Sequence, residues 1–134
     1  MNFRHVALEV KIAGHNMSKI KEKVLEWLEG QNLEFTVQAE TFVIDGDGPK
    51  PFKYIPNFIV VGKRYHGRVV IVEPITSFAP QGGLKRVQTF RRQFHSKYYV
   101  VIITKRRMLD RIPDDAYDQL LIFEELDGSF IKFR

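Results

Sequence analysis

The chain has 134 residues, 44% of them hydrophobic, and no cysteine. That length suits one domain with a real core, and the missing thiols exclude disulfides, cysteine nucleophiles and thiolate metal sites, in keeping with an expected cytoplasmic location. Formal net charge is +5, but residues 50 to 111 hold 14 of the 21 Lys and Arg residues and only two acids, Glu73 and Asp110, a local balance of +12 against −7 for the remainder.

In chain order, the start "MNFRHVALEVKIAG" lacks the basic head and continuous apolar stretch of a signal peptide. Within it, Val6, Leu8, Val10 and Ile12 alternate with His5, Ala7, Glu9 and Lys11, a period of two that predicts a half-buried strand. "SKIKEKVLEWLEG" changes period: Ile20, Val24, Trp27 and Leu28 form a helical stripe, Ser18 or Asn16 is placed to cap its start, and Gly30 to end it. "LEFTVQAETFVID" returns to strand character, and "DGDGPKP" predicts a turn or loop. "PNFIVVG" and "RVVIVEP", joined by "GKRYHG", read as an antiparallel hairpin. In "LKRVQTFRRQFH", Leu84, Val87, Phe90 and Phe94 share a helical face. "YYVVIIT" is nearly all apolar, as in a strand covered on both faces. "KRRMLDRI" reads as a loop or short helix, "DDAYDQLLIFEEL" as a helix with Pro113 near its start, and "GSFIKF" as a last edge strand.

The order is therefore β-α-β-β-β-α-β plus a C-terminal tail, an α/β domain with a mixed sheet flanked by helices. A buried strand following a crossover helix is expected to lie parallel to a strand already in the sheet. No run reaches the ~18 apolar residues that a membrane helix needs, so no membrane partner is expected.

Two polar residues interrupt the hairpin's apolar runs: Asn57, in "PNF", and Glu73, in "VEP". Helix, three strands, helix, strand over residues 18 to 104, with those two dipeptides on successive strands, resembles the PD-(D/E)XK or restriction-endonuclease-like nuclease superfamily. The resemblance implies a single domain of that fold over residues 1–134. Members carry an Asp after a Pro on one strand, and Glu or Asp, one residue, then Lys on the next. Here Asn57 stands at the Asp position, Glu73 at the Glu position and Ile75 at the Lys position. In the superfamily, paired carboxylates hold Mg²⁺, which polarises the phosphate and activates a water, while the lysine steadies the developing charge. The resemblance thus implies Asn57 and Glu73 as a weak site for Mg²⁺ or Mn²⁺. Asp45, Asp47 or Glu40 are the candidates to restore a carboxylate, Glu22 or Glu26 to contribute an acid from the first helix, and Lys85 or Gln88 to replace the missing lysine as catalytic groups. The other outcome is a decayed site on a surviving scaffold. A reading without any site also stands: Asn57 as a solvated strand start and Glu73 as a charge that blunts a sheet edge.

The basic middle points to a polyanion, and nucleic acid, DNA or RNA, is the expected partner. Lys63 and Arg64 in the hairpin turn, with Arg91, Arg92, Arg106 and Arg107, are the candidate backbone contacts, and Tyr65 is the candidate for base stacking. Alternatively, these charges segregate along the chain but mix in space. His5, His15, His66 and His95 show no metal-ligand spacing, and "DGDG" lacks the later ligands of a calcium loop. Trp27, Phe90 and Phe94 read as core. The leading expectation is a nucleic-acid-binding protein with an altered nuclease-like site, compatible with a homodimer; the alternative is a protein-interaction module on the same scaffold.

Overall fold

A computed structural model describes residues 19–45, 50–79 and 83–131. The predicted first strand around Val6 to Ile12, the cap residues Asn16 and Ser18, His5, His15 and Asp47 lie outside the described residues. The elements are helix α1 (Lys19–Gly30), strands β1 (Glu34–Val37), β2 (Phe42–Ile44), β3 (Phe52–Tyr54), β4 (Phe58–Tyr65) and β5 (Arg68–Ile75), helix α2 (Leu84–Phe94), and strands β6 (Tyr98–Thr104) and β7 (Gln119–Ile122). A five-stranded sheet runs in the order β1-β4-β5-β6-β7, and β2 with β3 forms a separate two-stranded ribbon. The sheet is mixed. β1, β4 and β5 pair antiparallel, whereas β6 lies parallel to both β5 and β7, as the crossover helix α2 requires.

Period-two alternation divides the strands between two cores. Tyr99, Val101 and Ile103 of β6, with Val70 and Val72 of β5, meet Val24, Leu25, Trp27 and Leu28 of α1 on one face. Val100 and Ile102, with Ile71 and Ile75, meet Val87 and Phe90 of α2 on the other, where the ribbon residues Ile44 and Tyr54 join them. The near-continuous apolar reading of "YYVVIIT" follows from this double coverage. No helix among the described residues is long and apolar enough to cross a membrane.

Three local expectations change. The run "LEFTVQAETFVID" does not stay in one sheet: Gln38 adopts a left-handed φ of 48°, and the chain leaves β1 to build the ribbon. The helix predicted in "DDAYDQLLIFEEL" is instead a 3-10 turn at Asp114–Ala116, strand β7, and a further 3-10 segment at Phe123–Gly128. The open edge of β6 captures this segment, and Leu120 and Leu121 reach opposite cores, so sheet pairing overrides helical propensity. Residues 128–131 of the predicted edge strand are not strand, although Ile131 is buried.

Asp118, one residue before β7, links the layers. Its Oδ2 accepts the Val100 N–H at 2.8 Å, and its Oδ1 meets Arg68 of β5 at 3.2 Å and Arg91 of α2 at 3.0 Å. Burial alone would raise its pKa. The hydrogen bonds from Arg91 and Val100, with the charges of Arg91 and Arg68, overrule that and hold it below the ordinary value. Asp118→Ala removes the shared anion of two guanidinium groups, leaving each only a backbone carbonyl, and strands the Val100 donor, so urea denaturation is expected to show a loss of about 2 to 3 kcal/mol. A loss under about 1 kcal/mol, the range of an exposed pair, would deny Asp118 this linking role.

Candidate functional site

The hairpin register sets Phe58 opposite Val72, which places Asn57 beside Glu73 on the α2 side of the sheet. The two meet directly. Glu73 Oε1 accepts the Asn57 backbone N–H at 2.5 Å, and Oε2 accepts the Asn57 side-chain amide at 3.3 Å. Glu73 is only 3% exposed although it carries a carboxyl. Burial raises its pKa from 4.5 to about 7, against the opposing pull of the Asn57 hydrogen bonds, the Lys21 charge and Tyr54. These two residues are therefore a joined pair, and the solvated-edge reading of Glu73 does not describe this geometry.

The pair belongs to a cleft of about 700 Å³ between α1, β3 and the start of α2. Three cations line it: Lys21 from α1, Lys53 from β3 and Arg86 from the first turn of α2. Gly83, also in the wall, takes a left-handed φ of 89° as it leads into α2, a conformation that a side chain would strain. Tyr54 completes the wall. Its ring packs 4.7 Å from Phe90, and its buried hydroxyl lies near Glu73 yet makes no hydrogen bond of ordinary geometry. Burial, then the Glu73 charge, pushes that phenol well above its usual pKa.

As it stands, this donor set does not fit a divalent cation. Mg²⁺ and Mn²⁺ take hard, ionised oxygens. Glu73 is the sole carboxylate among the described lining residues, and both its oxygens already accept hydrogen bonds from Asn57. No cluster of three or more His, Asp or Glu able to hold a metal occurs among the described residues.

The remaining candidates go elsewhere. Ile75, at the lysine position, is 1% exposed in the α2-side core. Gln88 donates to Asp115 Oδ1 at 2.6 Å, and Lys85 is exposed on α2 outside the cleft lining. Glu22 and Glu26 do not line this cleft, and Asp45 and Glu40 are exposed. Of the cations, Arg91 pairs with Asp118, Arg92 with Asp115 and Arg106 with Glu125. Lys63, Arg64 and Arg107 are exposed, with Arg64 also donating to the Gly67 carbonyl at 3.4 Å. Tyr65 stacks on Tyr99 at 4.1 Å, so one of its faces is occupied from within, while Trp27 and Phe90 are core as expected.

Lys21, Lys53, Tyr54 and Arg86 escaped the sequence reading. A signal existed for some of them. In "PFKYI", Phe52 and Tyr54 alternate with Lys53 and Ile55, the period of a short ribbon. Lys21 is four residues before Leu25, at the margin of the buried stripe of α1. Arg86 differs from Lys85 by one position, which on a helix is a turn of about 100° and decides which of them meets the cleft.

No family model matches the chain, and no curated protein matches it. Among solved structures, the crystal structure of protein VC1899 from Vibrio cholerae is similar at a TM-score of 0.48 and 11% sequence identity, over 81% of this chain. The chain spans 30% of the length of that protein.

The Glu73 environment predicts an unusual pH dependence of stability. The folded state keeps a proton that the unfolded chain releases near pH 4.5, so stability falls as pH rises from there to about 7 and then levels. Replacing Glu73 with Gln, whose amide pairs with Asn57 once the Asn57 amide turns over, removes this loss. At pH 8 the variant is expected to exceed the unaltered protein by up to roughly 3 kcal/mol in urea denaturation. Parallel pH profiles for the two proteins would refute it.

Proposed function

We propose that the protein binds nucleic acid in the cleft between α1, β3 and α2, holding backbone phosphates on Lys21, Lys53 and Arg86, with the nuclease-like position altered so that binding needs no divalent cation. The observation that carries this reading is the convergence of three cations from three separate elements on one cleft. Phosphate contacts supply most sequence-independent affinity for nucleic acid, and clefts lined by one sign of charge concentrate their counter-ligand. This replaces the contact set read from the sequence in part. Arg91, Arg92 and Arg106 hold acids of the chain itself, whereas Lys63, Arg64 and Arg107 remain as outer contacts.

A protein-interaction module is the second reading, and that internal pairing favours it because it lowers the free positive field of the +12 segment. Salt separates the two: phosphate contacts weaken steeply as salt rises, and a mostly apolar protein interface does not.

Fluorescence anisotropy with labelled DNA and RNA strands is expected to give micromolar affinity at low salt. Replacing Lys21, Lys53 and Arg86 together with Ala should weaken it at least about tenfold and reduce the slope of log affinity against log salt by about 2 to 3. Absence of binding at low salt, or a triple variant that binds as the unaltered protein does, would sink this reading.

The metal position has its own test. By calorimetry the unaltered chain is expected to show little Mn²⁺ binding, and Asn57→Asp is expected to bind it more tightly, because a second carboxylate then faces Glu73. Equal affinities would mean that positions 57 and 73 do not form a latent metal pair. The superfamily lysine is a poor addition here, since Ile75→Lys would place an ammonium in the core.

A further inference from the structure

Resting on the nucleic-acid reading, we infer that the bound nucleic acid is single-stranded: the Arg111 guanidinium, laid over the Phe78 ring at the rim of the cleft, is a platform on which one unpaired base stacks.

The platform stands where the fold exposes the ends of its parallel strands. β5 and β6 run in the same direction, with Ile75 level with Thr104, so the segments that follow them leave the sheet at the same end. Open α/β sheets bind their ligands outside the carboxyl ends of such strands. After β5 the chain passes through Thr76 and Ser77, both in the cleft wall, directly to Phe78. The Ser77 hydroxyl accepts the Ala79 N–H at 3.1 Å, a local turn that fixes the backbone around Phe78. After β6 comes a 3-10 helix, Arg106–Arg111, whose last side chain returns over that ring. The guanidinium carbon of Arg111 lies 4.0 Å from the ring centroid.

Arg111 is not committed to holding the fold. Arg68, Arg91, Arg92 and Arg106 each pair with an acid of the chain, whereas Arg111 is exposed and has no acid partner among the described residues. Phe78 is half-buried against the α2-side core, so the ring backs the guanidinium from within and the outer side stays open. An arginine plane stacks an unpaired base as an aromatic ring does. The other cation–aromatic contacts differ. Arg68 lies over Tyr65 and Tyr99 but is tied to Asp118, and Lys23, over Phe123, has no plane and lines a separate pocket.

This placement selects the strand. The cleft, about 700 Å³, is of the size that takes a small ligand, so it accepts a short piece of one backbone and not two strands wound together. With phosphates on Lys21, Lys53 and Arg86, a base reaches Arg111 only by turning out of its stack. A duplex resists that, because its bases are paired, while a single strand offers them free. Every base has a π-face, so the platform selects for strandedness and not for sequence.

The test is anisotropy at low salt with three labelled DNA probes of one length: a single strand, the corresponding duplex, and a strand of abasic sites. The base-bearing single strand is expected to bind about tenfold more tightly than the abasic strand. It should also bind more tightly than the duplex, although the duplex carries the denser charge. Arg111→Lys keeps the charge and loses the plane, so it should bring the base-bearing strand to within about twofold of the abasic one. Phe78→Leu keeps an apolar side chain against the core but removes the ring, and should narrow the same gap. Arg111→Lys alters only an exposed side chain, so it decides the matter even where Phe78→Leu loosens the turn. A duplex bound as tightly as the single strand, or a full gap between base-bearing and abasic strands in Arg111→Lys, would overturn the inference while leaving nucleic-acid binding in place. Absence of binding to all three probes and to an RNA strand would overturn the reading on which it rests.

Discussion

One carboxylate fixes the relation between the layers of this protein. Asp118 accepts from a β6 backbone donor and pairs with guanidinium groups on β5 and on α2. Apolar contacts alone leave a helix free to slide and rotate on a sheet by small amounts at little cost, because the hydrophobic effect has no direction. Charged hydrogen bonds have direction, and those to Asp118 set α2 against β5 and β6. The position of Arg86 over the cleft follows, since it lies on the same helix, about 1.4 turns before Arg91.

The same pairing rearranges the charge map. Along the chain the middle is strongly basic and the tail after residue 111 is acidic. In space the acids of that tail, Asp115, Asp118, Glu124 and Glu125, return to Gln88 and to arginines of the middle segment. β7 brings them there, because its parallel place beside β6 carries the flanking turns across the end of α2. Charges near the middle of the chain are thereby divided between holding the fold and lining the cleft.

Burial gives the site its chemistry. A carboxyl at the end of a central strand would be an ordinary acid in water. Packed between the ribbon, β4 and the α2-side core, it holds its proton to about neutral pH although two donors from Asn57 support the charged form. Asn57 serves this arrangement better than a second carboxylate would, because its amide donates where a carboxylate would repel. Asn57 thus has a local physical role of its own, independent of any metal.

Much of the fold was legible in the sequence. The helix of residues 19–30, the hairpin, the second helix and the doubly covered strand are long, strongly periodic segments, and their order required a parallel pairing after α2. The meeting of Asn57 and Glu73 was legible too, because a hairpin is local and its register follows from short-range pairing. What the sequence could not decide came from contacts between distant segments. β3 has only three residues, so the alternation around it is too short to decide a strand by itself, and it became one by pairing with β2. The segment 114–126 carries helical character, and only the free edge of β6 made part of it a strand. Lys21, Lys53 and Arg86 are separated by more than thirty residues each and by a crossover, so their convergence exists only once both helices lie on the sheet. A strand fixes which way its side chains alternate, and a helix fixes their angular order; which of those directions faces a cleft is set by what packs beside it, and that is a property of the tertiary structure.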